Sequence, residues 1–229
     1  MSNAPRDGVP HTSRGATEFK WKGTQVLTRV HGLNERCLEL LTDTARREPG
    51  CRLPIINQCR SLWRGMNVAT RKRAARTPFL LLDVHFQDAE WWRSAREPRL
   101  SRRRKPSLKS TFTGKIANEL TRETLMLAWS TVAFDRGAAS ILLGMAPPVG
   151  SIIAGLDAQD VERIATRHSE SLQARWDDFP AYWEKLLVAA RDDDEEALHE
   201  IHLHGMQLIG GELLPLMDGD SHDVPASRI

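Results

Sequence analysis

Apolar residues recur along this chain at intervals of three and four, and those intervals mark out a series of helices. Within 24–47 they fall at Val26, Leu27, Val30, Leu33, Cys37, Leu38 and Leu41, and Pro49-Gly50 stops the run. Pro54 opens a second helix through Ile55, Ile56, Cys59, Leu62 and Trp63, ending near Gly65. Asn67 is a good N-cap for a third helix over 68–76. Thr77-Pro78 ends it, because the residue before proline disfavours α geometry. FLLLDVHF (79–86) suits a strand or a buried helical turn, and periodicity does not separate the two.

The helical pattern resumes over 120–135 with Leu120, Leu125, Met126, Trp129, Val132 and Ala133. Shorter helices follow over 138–143 and 149–156, punctuated by Gly144 and Pro147-Pro148. Asp157 caps another over 158–167. Helices over 183–190 and 195–214 flank the acidic turn Asp192-Asp193-Asp194. The expected fold class is mainly α.

The chain also repeats itself at an offset of 90 residues. Laid without gaps, 61–88 and 151–178 share Ser61/Ser151, Gly65/Gly155, Arg73/Arg163, Ala75/Ala165, Leu82/Leu172 and Asp88/Asp178. Met66/Leu156, Asn67/Asp157 and Phe86/Trp176 match in chemistry. The register of small, turn and aromatic positions reads as a tandem duplication. The expected organisation is a tail over 1–22, a first unit over 23–95 and a linker over 96–115. A second unit over 116–216 and a tail over 217–229 complete it, both tails being expected to be disordered.

Charge separates the two copies. Residues 1–120 carry 24 Lys and Arg against 11 Asp and Glu, while 121–229 carry 8 against 19, so a net charge of +2 hides a strong dipole. A basic half of this size suits a polyanion such as nucleic acid. It equally suits two halves that attract each other, or copies that stack head to tail as a homo-oligomer. Composition alone leaves these open.

With 229 residues, 41% hydrophobic and 27% charged, the chain has the make-up of an ordinary globular protein of one or two domains. No apolar run approaches the roughly 20 residues that span a bilayer, so no membrane partner is expected. The start lacks the apolar core of a secretory signal, and Cys37, Cys51 and Cys59 fit no zinc spacing. A cytoplasmic protein with free thiols, and with no cofactor, is the expectation.

Several segments resemble the FlhD family of bacterial transcriptional activators. They are AWSTVAFDRGAASILLGM (128–145), IIAGLDAQDVERIA (152–165), RWDD (175–178) and ALHEIHLHGMQL (197–208), with TPFLLLDVHFQD (77–88) similar to the region before the third motif. The resemblance covers most of 128–208 and a fragment of 61–88. It implies two FlhD-like helical units packed as an intramolecular pseudo-dimer, each with a helix-turn-helix-like segment. It also implies double-stranded DNA as ligand and an FlhC-like, zinc-binding partner subunit. Two features depart from the pattern: the family's cysteine has no counterpart among Ser171, Leu172, Gln173 and Ala174, and the basic linker is additional.

The residues themselves give 142–167 the shape of a helix-turn-helix, with Gly155 before a three-residue turn. Its second helix offers Arg163 and Arg167, but also Asp160 and Glu162, which repel phosphates. The equivalent helix of the first copy carries Arg71, Lys72, Arg73 and Arg76 with no acid. Arg102, Arg103, Arg104, Lys105 and Lys109 form a further cationic run in the linker. These eleven residues are the candidate DNA contacts, against the alternative of solvated basic faces. His199 and His202 near Glu196 and Glu200 have part of a metal-binding spacing, but no second pair completes it, and a structural role is favoured. No nucleophile elbow or phosphate loop is present, so no enzyme is expected. The expected function is a non-catalytic transcriptional regulator; the alternative is a helical adaptor or secretion-system accessory protein.

Overall fold

The protein is described by a computed structural model covering residues 13–97 and 112–218, apart from Pro49, Arg52 and Thr113. It is mainly α. Helix α1 spans Ser13–Arg47, followed by α2 (Pro54–Gln58), α3 (Arg60–Gly65), α4 (Val68–Ala75), strand β1 (Leu82–Asp83) and α5 (Ala89–Arg96). Then come α6 (Gly114–Phe134), α7 (Arg136–Leu143), α8 (Pro147–Ala154), α9 (Ala158–Arg167), β2 (Gln173–Ala174), α10 (Pro180–Asp192) and α11 (Glu195–Asp218).

Several boundaries differ from the sequence pattern; α6 begins at Gly114, inside the expected linker, and α11 runs to Asp218, into the expected tail. Helix α1 takes in 13–22 of the expected tail, because extending a formed helix across a proline-free stretch costs far less than nucleating one. The helix opened by Pro54 breaks at Cys59 (φ −104°, ψ 20°) into α2 and α3. Most of 79–86 is irregular yet buried, and only Leu82–Asp83 pair as a strand. Helix α5 was hidden beside the basic stretch. It is a single amphipathic run of eight residues, capped by the Asp88 side chain on Trp91 N–H and buried through Trp91, Trp92 and Ala95.

The order long helix, two short helices, capped helix, two-residue strand, helix occurs twice. Asn67 caps α4 with φ −100° and ψ 176°, and Asp157 caps α9 with φ −96° and ψ 175°. Beyond the strands the offset becomes 91. His85 and Trp176 both take positive φ (50° and 53°), and their carbonyls accept hydrogen bonds from the indole N–H groups of Trp92 (3.0 Å) and Trp183 (3.2 Å). The strands pair antiparallel, with Leu82 opposite Ala174 and Asp83 opposite Gln173. Asp83 therefore faces the residue 90 positions ahead of it.

The helices after the strands cross over. α5 of the first half packs on α8 and α9 of the second, and α10 packs on α2, α3 and α4 of the first, while α1 lies against α6. One continuous core results, and Trp63 and Trp183 meet in it with ring centroids 5.7 Å apart, both fully buried. Exchange of this kind removes apolar surface that neither half covers alone, at roughly 25 cal/mol per Å².

Arg175, 3% exposed, ties the crossing together. Its Nε donates to Leu80 O (3.0 Å) and its Nη2 to Leu143 O, while its own N–H donates to Leu81 O (2.8 Å). The guanidinium lies on Gly144, where a Cβ would stand 2.4 Å from Nη1; Gly144 also ends α7 at φ +60°. Among the described residues no helix is long and apolar enough to cross a membrane.

Candidate nucleic-acid interface

Two pairs of helices joined by short turns correspond in the two halves, α3–α4 in the first and α8–α9 in the second. The local sequence builds each one. In α4, Asn67 Oδ1 accepts from Thr70 N–H at 2.9 Å. In α9, Asp157 Oδ1 accepts from Asp160 N–H at 2.7 Å and the Asp160 carboxylate reaches back to Asp157 N–H, a capping box. Val161, Ile164 and Ala165 bury one face of α9, which leaves Gln159, Glu162, Thr166 and Arg167 exposed. With Arg163 these line a shallow depression of about 380 Å³.

The candidate cations do not all face outward. On α4, Arg71 corresponds in register to the buried Val161. It is 17% exposed and lies 3.7 Å from both Glu35 and Glu39 of α1. Arg73 Nε donates to Ala190 O at 2.7 Å and pairs with Asp193 at 3.1 Å. Lys72 and Arg76 are exposed, with no carboxylate within 4.0 Å among the described residues. On α9, Arg163 is half-buried against Asp160, and Arg167 is exposed. Glu162 holds Arg122 of α6 at 2.6 Å. Arg102, Arg103, Arg104, Lys105 and Lys109 lie outside the described residues.

So the acid-free helix of the sequence meets acid in three dimensions, supplied by α1 and by the end of α10. Sequence reasoning missed a second group of cations. Arg46, Arg60 and Arg64 gather around the C-terminal end of α1: Arg60 donates to Ala45 O (3.1 Å) and Glu48 O (3.0 Å), and Arg64 Nε to Ala45 O (3.1 Å). Arg46 donates to Met66 O (2.8 Å). The readable signal was the i,i+4 pair Arg60/Arg64, which sits where the second copy has Gly150 and Ala154.

Behind α4, imidazoles pack between α1 and α11. His202 Nε2 lies 3.4 Å from Thr77 Oγ1, and burial, with His199 and His31 nearby, pushes its pKa down to about 4 from 6.5. Burial and Arg76 lower that of His31 as well. Among the described residues no group of three or more His, Cys, Asp and Glu is arranged to hold a metal ion. Both folded-state pKa values lie below the unfolded value, so the unfolded chain binds these protons first. Stability is therefore expected to fall as pH drops from about 6.5 towards 4. Urea midpoints across that range check this, and His202→Gln should flatten the dependence. An unchanged slope in that variant would place the titration elsewhere.

No family model, curated protein or solved structure matches the chain.

Proposed function

We propose that the chain is a non-catalytic, DNA-binding transcriptional regulator of FlhD-like type, formed by two units folded into one intramolecular pseudo-dimer. The observation that carries the reading is the pair of equivalent hairpins, α3–α4 and α8–α9, each braced by the crossing helix of the other half. A rigidly held helix with an exposed polar face at the end of a short turn is the geometry by which such motifs enter a major groove. The basic first half supplies the sequence-independent attraction.

A protein partner of the FlhC kind, or an adaptor role without DNA, draws support from α11. Leu203, Met206 and Leu214 are exposed along it, and the acidic Glu196 and Glu200 are exposed in its first two turns. The two readings separate on a labelled duplex. If the exposed cations of α4 touch phosphate, Lys72→Ala/Arg76→Ala weakens binding and lowers the slope of log K against log salt by about 1.8, at about 0.9 per contact. Arg71→Ala/Arg73→Ala lowers thermal stability instead, because those side chains join helices. Fluorescence anisotropy and thermal melts of both double variants measure this. Absence of salt-dependent DNA binding by the wild type would favour the adaptor.

A further inference from the structure

We propose that Arg46, Arg60 and Arg64 form a phosphate-gripping site for the backbone of duplex DNA, an inference that rests on the DNA-binding reading above. The three side chains come from α1 and α3 and converge on one place. Ala45 O accepts from both Arg60 Nη1 and Arg64 Nε, each at 3.1 Å, and Arg46 Nη2 donates to Arg64 O (3.2 Å) and Met66 O (2.8 Å). Arg60 is held further by Glu48 O (3.0 Å) and Asn57 Oδ1 (3.1 Å). Every one of these acceptors is a neutral oxygen. Among the described residues none of the three guanidiniums has a carboxylate within 4.0 Å; the neighbouring Arg47 has one, Asp43 at 3.1 Å.

The balance of charge is lopsided. The C-terminal ends of α1 and α3 meet here, each offering at most about half a negative charge, and three full positive charges are gathered on them. That leaves a surplus that a bound anion neutralises. Each guanidinium also has donors to spare. Of five N–H groups, Arg64 uses only Nε among the described residues, so both its terminal nitrogens remain for a bidentate contact with phosphate oxygens. Hydrogen bonds to backbone already fix the side chains, which lowers the entropy lost on binding.

The second half shows that the architecture does not require this cluster. At the offset of 90, Arg60 and Arg64 correspond to Gly150 and Ala154, and α8 folds and packs without them. The cluster also lies on α3 and the end of α1, the first helix of its hairpin and the element behind it. Proteins of this shape contact the backbone with that part while the second helix faces the bases.

The test is a salt titration of the full chain on a labelled duplex, comparing wild type, Arg46→Ala/Arg60→Ala/Arg64→Ala and the single Arg64→Gln, with thermal melts alongside. Three lost contacts should lower the slope of log K against log salt by about 2.7, and Arg64→Gln by about 0.9. Arg64→Gln is exposed and gives up one hydrogen bond, so it decides the matter if the triple variant melts early. Wild-type binding with an unchanged slope in Arg64→Gln would reduce the cluster to a cap on α1 and leave the DNA-binding reading standing. No salt-dependent binding by the wild type would overturn both.

Discussion

Trp183→Ala is expected to destabilise the whole chain by about 3–5 kcal/mol, enough to consume much of the 5–15 kcal/mol that holds a typical domain folded. Trp183 is fully buried on α10, a second-half helix that packs on α2, α3 and α4 of the first half. Its ring meets Trp63, and its Nε1 donates to Arg175 O (3.0 Å) and Trp176 O (3.2 Å). Truncation leaves a cavity between the halves and takes the indole donor from Arg175 O, while Trp176 O keeps the Phe179 N–H at 2.9 Å. Denaturant unfolding followed at the remaining tryptophans should show one earlier transition. A loss below about 1 kcal/mol would mean that α10 is only loosely docked.

Arg175→Met is expected to cost a similar amount, about 3–5 kcal/mol, despite conserving much of the side chain's volume. The guanidinium satisfies Leu80 O and Leu143 O from inside the core and lies 3.9 Å from Asp83 and 3.7 Å from Glu212. Methionine leaves those carbonyls without the donor and the two acids without their shared cation. Asp83 and Glu212 are part-exposed, so the loss comes mainly from the carbonyls. Arg175→Lys should not rescue, because a single ammonium cannot reach Leu80 O and Leu143 O from one planar fork. Chemical denaturation of both variants measures the effect, and full rescue by lysine would show that charge alone matters.

Much of the helical frame was legible because it rests on local chemistry. Asn67 and Asp157 are short polar residues before apolar periodicity, and both cap helices as that placement implies. Helix α5 was not legible. Its two tryptophans border a basic stretch that reads as linker. The strand pair was legible only in part: 79–86 suited a strand or a helical turn, whereas the two residues of β2 carry no alternation.

The candidate interface was legible only in part. Counting charge along the chain places Arg71 and Arg73 in an acid-free helix. Their carboxylates come from Glu35 and Glu39 on α1 and from Asp193, which is 120 positions away from Arg73. One-dimensional charge does not reveal which helix face a side chain occupies. The packing of α1 and α10 decides that, and it leaves Lys72 and Arg76 as the outward cations of α4.

The proposed pseudo-dimer is tested most directly by cutting the chain. Residues 1–111 and 112–229 would be produced as separate polypeptides, alone and together. Because α5 and α10 each complete the other half's core, neither piece should fold as a monomer with a cooperative transition. Mixed, they should form a one-to-one complex whose melting approaches that of the intact chain. Two pieces that each fold alone as stable monomers, and do not associate, would contradict the account.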